Sequence, residues 1–235
     1  MDRQVSYASA PAVRALIACA YLGETRSPHQ LGAITLHPHQ RDAVARLRAL
    51  MQEHGGALLA DEVGLGKTYV AVTLIRECSR ALVVAPASLR AMWKRALSAA
   101  GAHADLASYH ELSRGEAPAG KFDLVVLDEA HHARNPATLR FRRLAELTAG
   151  ARVLLLSATP IHNRRADLAA PLALFLGARA FTLGARELSA FVVRRERADV
   201  VASAPLPEAG RPQWLSVRED QGLLDGILAL PPPVP

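Results

Sequence analysis

A segment suited to binding phosphate runs from Asp61 to Thr68 and reads Asp-Glu-Val-Gly-Leu-Gly-Lys-Thr. Gly64 and Gly66 allow the backbone to curl until its amides face an anion, and a following helix would add its positive end. Lys67 has the reach to contact β and γ phosphates, and the Thr68 hydroxyl is a ligand for Mg²⁺. The segment predicts a phosphate-binding loop. The alternative interpretation is a glycine-rich turn that carries an incidental Lys-Thr pair.

An acidic pair, Asp128 and Glu129, follows the apolar run at 124–127 and opens the sequence Asp-Glu-Ala-His. Carboxylates at the end of a buried strand border the ligand crevice of open α/β sheets. One carboxylate there can hold Mg²⁺, and the next can orient or deprotonate an attacking water. We assign the metal to Asp128 and the base to Glu129. The alternative is a solvated helix start that carries acidic residues near its dipole.

Three further residues have weaker patterns. Ser157 and Thr159 follow another apolar run, and their hydroxyls suit a relay from the γ-phosphate region, although turn chemistry before Pro160 explains them as well. The amide of Gln40, just before the first strand, can read an adenine edge. A surface glutamine on a helix is the simpler interpretation of Gln40 when it is taken alone.

The segment at 85–89 ends the second apolar run with amides and a hydroxyl that suit a nucleic-acid backbone. A helix cap explains the same residues. We name Ser88, Arg90 and Lys94 as candidate nucleic-acid contacts, and we expect the neighbouring Trp93 to pack in the core.

The elements that must position these residues alternate between apolar runs and helical patterns. Continuous Val and Leu runs between helices are typical of a parallel sheet that is buried on both faces. We therefore predict an α/β fold with a central, mostly parallel sheet. The predicted strands are 57–60, 81–85, 104–108, 122–127 and 152–156, and the predicted helices are 37–54, 68–78, 88–100, 139–148 and 165–176.

Composition narrows the class of protein without identifying it. The chain has 235 residues, half of them hydrophobic, and a formal charge of +6, which suits a polyanionic partner but is equally explained by a bias towards Ala and Arg. Cys19 and Cys78 lie far apart, without disulfide or zinc spacing, and fit a reducing, intracellular, cytoplasmic setting. The apolar run at 10–22 is too short to span a bilayer, so we expect no membrane partner.

Taken together, these motifs resemble those of superfamily-two helicases, and within them the Snf-type DNA translocases. The loop at 61–68 is similar to the Snf-type version, in which Asp commonly replaces the first Gly of the general motif. Residues 36–40 resemble the segment before that loop, 128–131 resemble the DEAH motif, and 191–195 resemble an Arg-rich segment near the end of the first motor domain. One departure is Ser-Ala-Thr at 157–159, where Snf-type members more often have Thr-Gly-Thr.

The resemblance covers about residues 31–207 and implies a RecA-like P-loop NTPase fold, a three-layer sandwich that uses ATP and Mg²⁺. It implies Lys67, Asp128 and Glu129 as catalytic residues, Thr68 and Asp128 at the metal, and His131, Ser157 and Thr159 as residues that couple the nucleotide to movement. The implied ATP-binding residues are Gln40, Asp61, Glu62, Gly64, Leu65, Gly66, Lys67 and Thr68.

The family's partner is double-stranded DNA gripped through its backbone, usually without strand separation. We expect duplex DNA as the partner of this chain, with RNA as the alternative. The family also has a second RecA-like domain that carries an arginine finger, a group worth ~10³–10⁵ in the rate of phosphoryl transfer.

We expect three segments: a helical extension over 1–30, a RecA-like ATP-binding domain over 31–205, and a linker or truncated tail over 206–235. After Arg195 only 40 residues remain, too few for another α/β domain. We therefore expect a second domain to be supplied in cis or in trans, and this chain alone to bind ATP and hydrolyse it slowly.

The leading hypothesis for function is the ATP-binding motor domain of a Snf-type DEAH-box helicase or translocase. The alternative is a non-catalytic nucleotide switch that regulates a partner. A small-molecule kinase is a third hypothesis, but it leaves the acidic pair unexplained.

Overall fold

The computed structural model describes residues 30–157 and 165–200. Thr159, the expected tail over 206–235 and all of the expected extension over 1–30 except Gln30 lie outside these residues. No helix within the described ranges is both long and apolar enough to cross a membrane.

Six parallel strands form the central sheet, in the order β5-β4-β6-β7-β3-β8. Strands β3, β4 and β6 are buried along their whole length, and β5, β7 and β8 are buried in part. This burial is expected for a sheet covered on both faces. A two-residue antiparallel pair, β1 and β2, precedes them. The strands are β1 (Gln30–Leu31), β2 (Ile34–Thr35), β3 (Gly56–Leu59), β4 (Ala81–Ala85), β5 (Asp105–Ser108), β6 (Leu124–Leu127), β7 (Arg152–Leu156) and β8 (Val192–Val193).

Helices connect the strands and cover the sheet. The first begins at Pro38, whose fixed φ suits the first helical position. It ends at His54 and is capped by Gly55, which has φ +81°. The helices are α1 (Pro38–His54), α2 (Lys67–Ile75), α3 (Arg90–Ala100), α4 (Tyr109–Ser113), α5 (Leu139–Thr148), α6 (Arg165–Leu176), α7 (Ala185–Leu188) and α8 (Arg197–Val200). Short 3₁₀ turns cover Ala87–Leu89, Ala130–Ala133, Gly177–Phe181 and Ser189–Phe191.

Two separate hydrophobic clusters lie on the two faces of the sheet. Leu59 and Val83 point into the cluster formed with α1, α2 and α3, whereas their neighbours Leu58 and Leu82 point into the cluster formed with α4, α5 and α6. This alternation follows from the two-residue period of a strand. The predicted α/β fold with a three-layer sandwich is therefore confirmed.

Most predicted elements lie where the sequence placed them, and the helices at 139–148 and 165–176 and the strands at 81–85 and 152–156 match in both bounds. The second helix ends at Ile75 rather than Cys78, and the strand predicted at 122–127 begins at Leu124. β8 lies within the segment interpreted only as Arg-rich. A two-residue strand carries no periodic signal, so its pairing with β3 was not predictable.

Candidate active site

The predicted motifs follow four neighbouring strands and lie at one edge of the sheet. Because β4, β6, β7 and β3 are parallel, the segments that follow them all leave from their carboxyl ends. The phosphate loop follows β3, the acidic pair follows β6, and Ser157 follows β7. The carboxyl edge of a parallel sheet is where open α/β folds bind ligands.

The phosphate loop curls through two glycines in left-handed conformations. Gly64 has φ +90° and Gly66 has φ +80°, and α2 begins at the next residue, Lys67. A Cβ on Gly66 would lie 2.2 Å from the Gln40 Nε2 atom, so a side chain there would meet both backbone strain and a clash. Among the described residues, none accepts a hydrogen bond from the Gly64 or Gly66 amide. Unpaired amides in such a curled backbone can bind an anion, and phosphate binding by this loop stays a prediction.

The Lys67 side chain folds over its own loop. Its Nζ atom donates to the Asp61 carbonyl at 2.7 Å and to the Glu62 carbonyl at 3.3 Å. Burial lowers the pKa of the Lys67 ammonium below its usual value, and the negative charges of Asp61, Glu129 and Asp128 oppose that shift. The ammonium thus lies within electrostatic reach of both predicted motifs.

Gln40 is buried, so its interpretation as a surface glutamine is wrong. Its Oε1 atom accepts from the His37 amide at 2.9 Å, and its Nε2 atom donates to the Leu65 carbonyl at 3.1 Å. The His39 Nε2 atom lies 3.2 Å from the same carbonyl. The start of α1 therefore contacts the phosphate loop directly, which places the Gln40 amide beside the predicted nucleotide position.

The carboxylates of Asp61 and Glu62 both bond to the segment that follows β8. The Asp61 side chain is fully buried and forms an ion pair with Arg195. The Glu62 carboxylate accepts from the Arg197 amide at 2.7 Å. Both partners follow β8, and sequence reasoning assigned neither of them to the site. The only available signal was the paired Arg194-Arg195.

Two buried aromatic residues hold Asp128. The Trp93 indole donates to its Oδ2 atom at 2.8 Å, and the Tyr109 hydroxyl donates to its backbone carbonyl at 2.7 Å. Burial raises the pKa of the Asp128 carboxyl, and the hydrogen bond from Trp93 opposes that rise. The expectation that Trp93 packs in the core is confirmed, and its contact with a predicted metal ligand is an addition that the sequence did not signal.

We expect Trp93→Phe to impair Mg²⁺-dependent ATP binding, because the Asp128 carboxylate loses the donor that orients it. The loss of a hydrogen bond to a charged group should also lower the free energy of unfolding by about 1.5–3 kcal/mol. The measurement is the Mg²⁺ concentration at half-maximal ATP binding. Tyr109→Phe is the matched control, since it removes a donor to the backbone only. An equal Mg²⁺ requirement in both variants would contradict this role for Trp93.

Glu129 has an unusual backbone. With φ 53° and ψ 55°, it is the sole non-glycine residue in the left-handed region within the described ranges. Such strained positions concentrate at functional sites. Its Oε2 atom lies 3.3 Å from the Nδ1 atom of His131, whose coupling role stays a prediction.

Ser157 and Thr68 both lie at this edge. Ser157 is buried, and its amide donates to the Leu59 carbonyl at 3.1 Å. Thr68 occupies the first turn of α2 and is half-buried. The metal role of Thr68 and the coupling role of Ser157 stay predictions, as does that of Thr159.

The three candidate nucleic-acid contacts differ in their surroundings. Ser88 and Lys94 are exposed. The Arg90 guanidinium instead donates to both carboxylate oxygens of Glu111 at 2.7 Å. Ser88 and Lys94 are therefore free to meet a phosphate backbone, whereas Arg90 would first have to leave Glu111.

This chain is similar to known proteins both in sequence and in fold. A family described as "SNF2-related domain" matches residues 39–106 and 100–198. Protein CHROMATIN REMODELING 24 of Arabidopsis thaliana is 27% identical over 182 residues, which cover 58% of this chain and 17% of that protein. The uncharacterized ATP-dependent helicase YqhH of Bacillus subtilis is 31% identical over 164 residues, which cover 59% of this chain and 29% of that helicase.

Among solved structures, the fold is similar to a Sulfolobus solfataricus SWI2/SNF2 ATPase core in complex with dsDNA. The TM-score is 0.65 at 23% identity, over 77% of this chain and 48% of that one. This chain thus spans less than a third of the length of those two curated relatives and about half of the solved core.

Proposed function

We propose that this chain, which belongs to the SNF2-related domain family, is the ATP-binding motor domain of a Snf-type DEAH-box helicase or translocase. It would couple Mg-ATP hydrolysis to movement on duplex nucleic acid. The observation that carries the proposal is the phosphate loop on β3 and the acidic pair on β6 at one edge of the sheet, with Lys67 within electrostatic reach of both.

The phosphate loop would hold the triphosphate. The amides of the curled loop and the N-terminal end of α2 are donors for phosphate oxygens. Lys67 would exchange the carbonyls of Asp61 and Glu62 for phosphate oxygens. Gln40, already fixed by His37 and Leu65, would present its remaining amide donor to the base.

Oxygen donors for Mg²⁺ are present at the same edge. The Thr68 hydroxyl and the Asp128 carboxylate are ligands of the type that Mg²⁺ takes alongside waters and substrate phosphates. The bound ion would neutralise charge on the transferring phosphoryl group. Trp93 would keep the Asp128 carboxylate in one orientation.

Glu129 would act on the attacking water. Its carboxylate would accept the water proton, and His131, 3.3 Å away, would orient that carboxylate. Charge that develops on the γ-phosphate would also need a cation. We assign that cation to an arginine finger on a second RecA-like domain, supplied in cis or in trans.

The proposed partner is double-stranded DNA, gripped through its phosphates. Support comes from the similarity to a solved core in complex with dsDNA and to the DNA repair and recombination protein RAD54 of Oryza sativa, 31% identical over 179 residues.

ATP hydrolysis with and without duplex DNA tests the proposed function. We expect duplex DNA to stimulate hydrolysis once a second RecA-like domain is supplied. We expect the Lys67→Ala, Glu129→Gln double variant to lose that activity. Full activity in the double variant would contradict the proposal, and nucleotide binding without turnover under every condition would favour the switch.

We expect Lys94→Ala to weaken duplex binding to a similar extent for all base sequences. Loss of one phosphate contact should also reduce the slope of log affinity against log salt by about one. Binding titrations at several salt concentrations measure both effects. Lys121→Ala is the matched control, because Lys121 is exposed ahead of β6, at the opposite edge of the sheet. A larger effect at Lys121 than at Lys94 would contradict this surface.

A further inference from the structure

We infer that Arg195 is a positioning residue, which holds the phosphate loop in its ATP-binding shape through the buried carboxylate of Asp61. The inference deepens the proposed function and rests on it, because a loop shape matters only if the loop binds nucleotide. It also gives a role to the aspartate that stands where the general phosphate loop begins with glycine.

The contact between Arg195 and Asp61 is bidentate. The Arg195 Nε atom donates to Asp61 Oδ1 at 3.2 Å, and the Nη2 atom donates to Oδ2. The Asp61 side chain has no solvent exposure, and that of Arg195 is 18% exposed. A buried carboxylate is strongly unfavourable unless a cation pairs with it, so the loop in this form depends on the guanidinium.

The same guanidinium also contacts the start of α1. Its Nη1 atom donates to the backbone carbonyl of His39, the residue before Gln40. One side chain thus joins the first residue of the phosphate loop to the helix turn that carries Gln40. The planar, five-donor guanidinium is suited to such a junction, whereas a lysine ammonium is a single point charge.

Backbone and side-chain contacts extend this junction into a strap, defined here as residues 193–197. The Ala60 amide donates to the Val193 carbonyl at 2.8 Å, and the Glu62 amide donates to the Arg195 carbonyl at 3.0 Å. Further along, the Arg197 Nη2 atom donates to the Val63 carbonyl at 3.1 Å.

The strap therefore satisfies the polar groups on one side of the loop. The acidic side chains of Asp61 and Glu62, and the Val63 carbonyl, all bond to it. A Cβ on Gly64 would lie 2.8 Å from the Arg197 Nη2 atom, so the strap packs closely up to the loop glycine. The Leu65 amide donates to the Glu62 carbonyl at 3.4 Å, and the amides of Gly64 and Gly66 are left to the phosphates.

Equilibrium ATP binding with Mg²⁺, measured on the full chain, tests the inference. We expect Arg195→Lys to raise the Kd for ATP by about ten- to hundredfold, because it loses the bidentate contact with Asp61. Asp61→Asn, which changes one atom, should raise it similarly. The Asp61→Asn, Arg195→Gln double variant should bind ATP no more weakly than the weaker of Asp61→Asn alone and Arg195→Gln alone, since the two side chains act as a pair.

Arg48→Lys supplies the matched control. Arg48 also makes a two-bond contact with a carboxylate, donating to Glu77 at 3.1 and 2.6 Å, but it lies on the middle of α1, away from the loop. We expect its Kd for ATP to equal that of the wild type. Thermal unfolding of each variant shows that the molecules titrated are folded.

The outcomes separate this inference from the function on which it rests. No ATP binding by the wild-type chain would overturn the proposed function. Wild-type binding with an unchanged Kd in folded Arg195→Lys and Asp61→Asn would overturn the positioning role alone, even if both variants unfold at lower temperature. If Arg195→Lys does not fold, the nearly isosteric Asp61→Asn decides the question.

Discussion

Replacement of Glu129 by Gln is expected to slow ATP hydrolysis by about 10²–10⁴-fold, the usual contribution of a general base. The amide keeps the size of the side chain but cannot take the proton of the attacking water. ATP binding should persist, because the triphosphate contacts assigned here belong to the loop and to Lys67. The measurement is steady-state hydrolysis with the second domain and duplex DNA supplied, beside an ATP titration of the same variant.

Glu146→Gln is the control for Glu129→Gln, since Glu146 is an exposed residue of α5 that forms an ion pair with Arg143. Its hydrolysis rate should equal that of the wild type. An unchanged rate in Glu129→Gln would remove Glu129 from the chemistry. A lost rate together with lost ATP binding would make Glu129 a binding residue rather than the base.

Lys67→Ala should weaken ATP binding by about 100-fold. Charge-assisted hydrogen bonds contribute about 1.5–3 kcal/mol each, and 1.4 kcal/mol is a factor of ten in affinity. The acidic pair strengthens the expectation, because without the ammonium the charges of Glu129 and Asp128 would repel the triphosphate. Titration of both proteins with ATP and Mg²⁺ gives the ratio of their Kd values.

The fold of Lys67→Ala should be retained. Within the described residues, the Lys67 ammonium bonds only to backbone carbonyls of its own loop, one of them that of Glu62, which is exposed to water. Lys121→Ala, at the opposite edge of the sheet, should leave ATP binding unchanged. Equal affinity in Lys67→Ala and Lys121→Ala would mean that this loop does not hold the phosphates.

The fold and the main site were predictable because their signals are local. Runs of Val and Leu marked the buried strands, and the loop at 61–68 and the pair Asp128-Glu129 carry their chemistry in adjacent residues. Parallel pairing then brings both to one edge without further information. The sequence alone therefore predicts which functional residues follow each of these strands.

The contacts that fix these residues were not predictable, because their partners are distant in the chain. Asp61 meets Arg195 across 134 positions, and Trp93 meets Asp128 across 35. The sequence alone favoured a surface position for Gln40, whereas in the structure α1 packs against the loop and buries it. The sequence shows which residues have suitable functional groups, whereas tertiary packing determines which side chains contact and orient them.

Hydrogen–deuterium exchange with and without Mg-ATP tests whether the phosphate loop and the acidic pair bind the nucleotide, because it locates the ligand on the wild-type chain. We predict slower amide exchange at residues 61–68 and 128–131 when Mg-ATP is present. We predict no change at the opposite edge of the sheet, where Cys78, Asp123 and Arg152 line a shallow cavity. Unchanged exchange at 61–68, or protection confined to that opposite edge, would contradict the account.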